Sequence, residues 1–408
     1  MSGCSGEESA FYERKCKHLH QKKIRGIHMN FELTKEQQMI KEMVRDFAKK
    51  EIAPYATELD KTERFPIETF KKMGELGLMG IPFPEEYGGS GGDTISYILA
   101  VEEIGKACGS TGLSYAAAIS LGASPLYYFG TEEQKREHLV PLATGESLGA
   151  FGLTEPNAGS DAGGTQTKAV IDGEDFVING EKCWITNTSF ARTVIVTAVT
   201  GKDDRGKNKI SAIIVPTDSK GLTINTPYEK MGVRASNTTE LVLEDVRVPR
   251  TNLLGDPEKG FGQFLYTLDG GRISIASLAV GIAQAAFEAA LRYSQERKQF
   301  GKTISSFQAI QFKLADMAME IELARNMVLK AAWLKDQDKP FKKEAAYAKL
   351  FASEMATRVC NQAIQIHGGY GYMQEYQVER YLRDAKLMEI GEGTSEIQRI
   401  VIARQLLS

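Results

Sequence analysis

Hydrophobic periodicity changes twice along this 408-residue chain, and that double switch limits the fold more than any single motif does. Over residues 34–142 apolar side chains recur at three- and four-residue spacing, as in Met39, Ile40, Met43, Val44 and Phe47, which is one face of a helix. Thr34 stands where an N-cap would, ahead of Glu36 and Gln37. Pro54, Pro66, Pro82 and Pro84, with the glycine cluster at 88–92, separate one helix from the next. Near Gly149 short β-branched runs take over, at 168–171, 175–178, 193–199, 210–215 and 239–248, and Asp172-Gly173 and Asn179-Gly180 read as turns between the first of them. From about Gly260 helical patterns return, Ala-rich at 276–291, 311–334 and 345–366. The expected architecture is mainly α with a central β domain. A leader, tag or extension fills 1–28, an N-terminal helical domain 29–148, a β-barrel-like middle domain 149–259, and a C-terminal domain of four-helix-bundle type 260–408.

Composition excludes more than it specifies. A hydrophobic share of 42% and a charged share of 25% are ordinary for a globular chain with a large core. A net charge of −3 gives no electrostatic reason to expect nucleic acid as partner. No run of eighteen uninterrupted apolar residues occurs, so a membrane span is not expected. Cys4, Cys16, Cys108, Cys183 and Cys360 form neither a C-x-x-C pair nor a metal cluster, which fits a reducing compartment and predicts no metal site. Gly88-Gly89-Ser90-Gly91-Gly92 matches G-x-S-x-G literally, but Pro82, Phe83, Pro84, Glu85 and Glu86 precede it where a nucleophile elbow needs a buried strand. Dinucleotide and Walker A fingerprints are missing.

Three segments carry chemistry. Residues 152–164, Gly-Leu-Thr-Glu-Pro-Asn-Ala-Gly-Ser-Asp-Ala-Gly-Gly, could be a turn-rich loop or one whose backbone N–H groups approach a polar ligand. Downstream, Trp184-Ile185-Thr186 sits on an expected strand that sends Trp184 and Thr186 to one face, either as core or against a flat ring. The second segment, residues 365–372, places Gly368-Gly369 where a helix must stop, and a helix C-cap would explain it alone; His367 reads as a spectator. The third is Glu389 to Gln398, where Ser395 and Gln398 have capping-box spacing for a last helix. Glu392 and Gly393 then fall in the turn before it. A Glu there serves the helix dipole in most proteins, but a turn can also aim a carboxylate into a cleft.

In this order and spacing, the segments resemble the signatures of the acyl-CoA dehydrogenases, most of all the short-chain members, and the likeness runs from about Phe31 to Leu407. The resemblance implies FAD held by Phe151, Leu153, Thr154, Gly159, Ser160, Trp184, Ile185, Thr186, Thr394 and Glu396. It also implies that Arg297, Phe300, Gln308, Gln365, Gly368 and Gly369 close over the FAD of a neighbouring subunit in a homotetramer, a dimer of dimers. Ser160, Asp269, Arg272 and Gly393 would face the acyl-CoA substrate, and Glu392 would take its α-proton while flavin N5 accepts the β-hydride. Electron-transferring flavoprotein is the implied electron acceptor, as in fatty acid β-oxidation. The implied location is the cytoplasm of a bacterium, or the mitochondrial matrix of a eukaryote. Gly391 stands where those enzymes commonly have Tyr, which keeps isobutyryl-CoA and 2-methylbutyryl-CoA beside butyryl-CoA as expected substrates. An acyl-CoA oxidase and a non-catalytic CoA-binding protein are the competing readings on the same fold.

Overall fold

A computed structural model describes residues 32–407. The expected extension at 1–28 lies outside the described residues, as do Cys4 and Cys16. The chain divides into two compact units, Met1–Gln38 and Met39–Ser408, and the second carries everything that follows the first turn of helix α1 (Lys35–Glu51). That turn is capped as its residues suggest. Gln37 N–H donates to Thr34 Oγ1 at 3.2 Å, and Thr34 N–H donates to Gln37 Oε1 at 2.9 Å, so two helix-end donors are satisfied reciprocally.

Helices α2 (Ala56–Thr62), α3 (Ile67–Glu75), α4 (Thr94–Ala107) and α5 (Gly109–Ala117) follow in the helical first part, which short helical segments at Ser124–Phe129, Glu132–Gln134 and Val140–Ala143 complete. After α5 the helix widens into a π-turn at Ala118–Ala123, which puts Ser120 and Leu121 beside the site described below.

Strand β1 (Leu148–Gly152) begins an eight-stranded sheet with β2 (Lys168–Asp172), β3 (Asp175–Thr186), β4 (Ala191–Lys202), β5 (Asn208–Pro216), β6 (Leu222–Ile224), β7 (Thr238–Pro249) and β8 (Leu253–Leu254). The order is β6-β7-β3-β2-β4-β5-β8, with β1 added parallel to β4. The central strands read as unbroken apolar runs because both faces are covered. Val194, Val196, Ile213 and Val215 join a core of the sheet's own residues, whereas Ile195, Ala212 and Ile214 pack into the core made by the helices.

Asp172-Gly173 does turn the β2–β3 hairpin, but Asn179-Gly180 is not a turn. Strand β3 runs straight through it, and the ladder with β7 slips one residue between Ile178 and Gly180. Gly180 takes φ +152°, and a Cβ there would meet Thr167 Oγ1 at 2.4 Å. The extra residue of this bulge is on β7, where Asp245 takes φ +48°, and glycine is required at 180 by its own φ and by the close approach of Thr167.

Helix α6 (Gly260–Glu296) packs against α4, α5 and α8 (Lys342–His367), with α7 (Gln308–Asp336), α9 (Val378–Met388) and α10 (Ser395–Leu407) completing the last part. Among the described residues α6 is the one helix long and apolar enough to span a bilayer, yet 78% of its most apolar window is buried inside the protein, as in a core helix. Burying Ile273, Leu278 and Ile282 stabilises this packing by about 2 kcal/mol each. Its function is to carry Asp269, Gly271 and Arg272 to the site.

Candidate active site

The turn between α9 and α10 is the centre of the site. Gly391 N–H still closes the end of α9 on Leu387 O at 2.9 Å, and then Glu392 and Gly393 both enter the left-handed region, at φ +53° and +94°. A non-glycine residue held there costs about 1 kcal/mol or more and needs support from its surroundings. The support comes from three directions. Gln398 Nε2 donates to Gly393 O at 2.9 Å and to Glu392 O at 3.4 Å, Lys349 Nζ donates to Gly393 O at 2.6 Å, and Ser395 N–H donates to Glu389 O at 3.0 Å. The expected cap is off by one residue: Thr394, not Ser395, accepts from Ile397 N–H at 3.3 Å, and Ser395 Oγ is buried without a partner. Adjacent hydroxyl residues make that register ambiguous in sequence, and Gln398 is needed by the turn instead of by the cap.

Glu392 remains partly accessible as a residue, but its Oε2 is buried and makes no hydrogen bond. Burial pushes the carboxyl up to about 7, against the pull of the Lys349 and Arg272 charges. Among the described residues, no acceptor takes its backbone N–H. A Cβ on Gly271 would lie 2.1 Å from Glu392 Oε2 and 3.2 Å from Leu121 Cδ2. Ser274 Oγ donates to Gly271 O at 2.8 Å and lies 3.3 Å from Ser120 Oγ. A narrow cleft runs beside this corner, lined by Tyr97, Ser120, Tyr128, Tyr266, Thr267 and Gly270 among others. Asp269 and Arg272 are buried and paired with each other at 2.5 Å. Lys342 stands 4.0 Å from Asp269 at the rim.

The loop at 152–164 is fastened from beneath. Glu155 is buried and accepts from Gln166 N–H at 2.6 Å, Thr167 N–H at 3.1 Å and Lys182 Nζ at 2.7 Å. Lys182, wholly buried, also donates to Leu153 O and Thr197 Oγ1. The Lys182 ammonium and the two N–H donors hold Glu155 below the usual carboxylate range in spite of its burial. With its base fixed, the loop leaves Gly159 and Ser160 exposed, and nothing lies within 4 Å of a Cβ placed on Gly159.

Cys183 N–H donates to Thr154 O at 2.9 Å, tying the loop to the strand that bears Trp184. Trp184 sits on a bulge of β3, at φ +56°, and is 63% exposed, so it is not a core tryptophan. Thr186 is half-buried on the same side, and Ile185 is core. Phe151 is also core, stacked on Phe264 with ring centroids 4.0 Å apart. Phe151 and Ile185 can therefore offer a ligand only backbone, whereas Trp184, Thr186, Gly159 and Ser160 present an open indole, a hydroxyl and free backbone. That set suits a flat, hydrogen-bonding ring system with a polar tail.

The remaining expected cofactor residues lie near the ends of α6 and α8, and none of them lines the open cleft whose walls include Tyr293, His367 and Tyr376. Helix α8 stops at His367, and Gly368 has φ +62°. Gln365, Gly368, Gly369 and Gln308 are exposed, Phe300 is 92% exposed, and Arg297 lies over the Tyr370 ring at 5.3 Å. His367 stacks on Tyr293 and its Nδ1 pairs with Ala363 O at 2.8 Å, a structural role. Glu396 is exposed on the first turn of α10.

Lys349 and Lys182 are the supporting residues that sequence reasoning missed, and Gln398, expected in the cap, supports the turn instead. Of the two lysines, Lys349 gave a signal, as the one charged residue within 345–352, Ala-Ala-Tyr-Ala-Lys-Leu-Phe-Ala.

A buried carboxyl whose pKa is raised to about 7 has the property a proton-abstracting group needs, and the exposed indole and half-buried hydroxyl of β3 have the properties a flat cofactor needs. Three family models match the chain in sequence. They are the acyl-CoA dehydrogenase N-terminal domain over 34–146, the middle domain over 150–246 and the C-terminal domain over 258–407. The chain is 82% identical to "Probable acyl-CoA dehydrogenase YngJ" of Bacillus subtilis, and 52% identical to the short-chain specific acyl-CoA dehydrogenase of Clostridium acetobutylicum. Each match covers 93% of this chain and 100% of the relative. Among solved structures, the butyryl-CoA dehydrogenase from Megasphaera elsdenii superimposes with a TM-score of 0.91 at 48% identity. A chain from a structure of the electron transferring flavoprotein of Acidaminococcus fermentans gives a TM-score of 0.91 at 50% identity. Both matches cover 93% of this chain and 100% of the other. The chain belongs to the acyl-CoA dehydrogenase family. It is an FAD-dependent enzyme, and solved members of the family carry the flavin.

Proposed function

We propose that this protein oxidises short-chain acyl-CoA thioesters to trans-2-enoyl-CoA, with butyryl-CoA the first substrate to try and Glu392 the base that takes the α-proton. The observation that carries this reading is the Glu392 carboxylate, whose Oε2 is buried and unpartnered and whose pKa is raised to about 7. A base is most effective when its pKa lies near the working pH, and such a base contributes roughly 10² to 10⁴ in rate. So weak a carbon acid also needs its enolate oxygen stabilised. The free backbone N–H of Glu392 supplies one donor for it, worth about 3 kcal/mol in a site closed to water. FAD, when bound, supplies the acceptor for the β-hydride; Trp184, Thr186, Leu153, Thr154, Gly159, Ser160, Thr394 and Glu396 are the residues we assign to holding it, with Phe151 and Ile185 contributing backbone. Gly393 and Ser160 face the thioester in this reading, and the Asp269–Arg272 pair lies at the CoA end.

Exposed Phe300, Phe312, Met319, Leu323, Trp333 and Tyr372 favour burial against further copies of the chain, and Arg297, Gln308, Gln365, Gly368 and Gly369 then complete a neighbour's FAD site in a homotetramer. The kinship with the Acidaminococcus chain supports electron-transferring flavoprotein as the acceptor. Buried, unpaired Cys108, Cys183 and Cys360 suit a reducing compartment such as the bacterial cytoplasm.

Gly391 favours a second substrate class. The three atoms nearest to a Cβ there all belong to Leu387, at 3.6 to 3.9 Å, so a side chain could start at this position without a clash and the chain has none. Turnover with butyryl-, hexanoyl-, octanoyl-, isobutyryl- and 2-methylbutyryl-CoA, with electron-transferring flavoprotein as acceptor, tests the reading. Highest kcat/KM with butyryl-CoA supports it, a branched optimum moves the protein to the branched-chain class, and activity that requires oxygen instead makes it an oxidase.

A further inference from the structure

Lys349 is wholly buried in α8, on a face made by Ala345, Ala346, Ala348, Ala352 and Ser353. An ammonium taken out of water costs several kcal/mol unless something specific compensates it, and a methionine would fill the same space. The compensation is the carbonyl of Gly393, at 2.6 Å. That carbonyl belongs to the second of two consecutive left-handed residues, the first of which is Glu392, so the lysine grips the turn where its backbone is under most strain. We propose that Lys349 is the positioning residue for Glu392: its buried ammonium clamps the turn through the Gly393 carbonyl and sets a fixed positive charge next to the residue that bears the carboxylate.

The surrounding charges agree. Burial raises Glu392, and Lys349 is the first and Arg272 the second charge acting against that rise. Lys349 is itself pushed down to about 8 by burial, with Glu392, Arg272, Glu389 and Glu396 as the charges that face it. Arg272 is already committed to Asp269 at 2.5 Å, Glu389 to Lys386 and Thr357, and Glu396 is exposed on α10. Tyr97, the other titratable group that senses Glu392, is buried and neutral, its hydroxyl donated to Ala116 O. Lys349 alone both touches the turn and carries charge toward the carboxylate.

The inference rests on Glu392 being the base, and its test separates the two ideas. In the FAD-loaded enzyme, Lys349→Met is expected to move the acid limb of kcat/KM up by about one pH unit, a roughly tenfold loss at low pH that narrows as pH rises, and Lys349→Arg to restore most of it. The infrared carbonyl band of the protonated carboxyl, identified in the apoprotein by its loss in Glu392→Gln, moves to higher pH in step. A Lys349→Met protein with normal melting and flavin content but an unmoved acid limb and carbonyl band overturns the proposal. Should Lys349→Met fail to fold, the reciprocal measurement decides. Charge coupling is symmetric, so Glu392→Gln must lower the titration of Lys349, read by NMR of protein labelled at lysine Cε, and an unmoved lysine overturns the proposal equally. If Glu392→Gln instead keeps full turnover, it is the base assignment that fails.

Discussion

The Cβ that Gly271 lacks would fall 2.1 Å from Glu392 Oε2, so helix α6 and the turn after α9 meet at a point where only a hydrogen fits. The atom in the way is the end of a flexible side chain and not backbone, so Gly271→Ala is expected to fold and to displace the carboxylate. A misplacement of about 1 Å costs on the order of a hundredfold in rate. Steady-state kinetics should show that loss in kcat, with the melting temperature within a few degrees of the parent.

Burial of Glu392 carries a stability cost whose sign follows from its raised pKa. The folded protein holds the carboxyl proton up to about pH 7, whereas an unfolded chain releases it near the ordinary glutamate value of 4.5. Stability from this group is therefore full below pH 4.5 and lost as pH rises through 7, by about 3 kcal/mol in total. Glu392→Gln removes the ionisation, and should melt higher than the parent at pH 8 while differing little at pH 5. Thermal unfolding at the two pH values checks it.

Glu155 and Lys182 form a buried pair in which neither partner reaches water well. Lys182→Met leaves a buried carboxylate without its cation, which costs about 3 to 5 kcal/mol. The same change frees the loop whose backbone we assign to the flavin. Denaturant unfolding should register the first effect, and a lower flavin-to-protein absorbance ratio after purification the second.

The double switch of periodicity made the helical, sheet and helical parts legible, because each element buries a face whose period is local. Thr34 and Gln37 were legible as a cap for the same reason, being three residues apart. Asn179-Gly180 has the composition of a turn but runs through a strand, because glycine serves a turn and a close approach alike, and only the folded contact with Thr167 and the pairing of β3 with β7 decide between them. Trp184 owes its exposure to a bulge that strict alternation cannot foresee. Lys349 and Gly393 are 44 residues apart, and Glu155 and Lys182 are 27 apart, so those contacts exist only once the chain is folded. The turn at Glu392 was placed before its helix correctly, but what holds that turn was not visible from its own residues.

Rapid mixing of the FAD-loaded Glu392→Gln variant with butyryl-CoA, without oxygen, tests the central claim most directly. Binding of the thioester with the flavin absorbance left unbleached over times that bleach the parent completely is the predicted result. Bleaching at a rate near the parent's would contradict the account and require another group to take the proton.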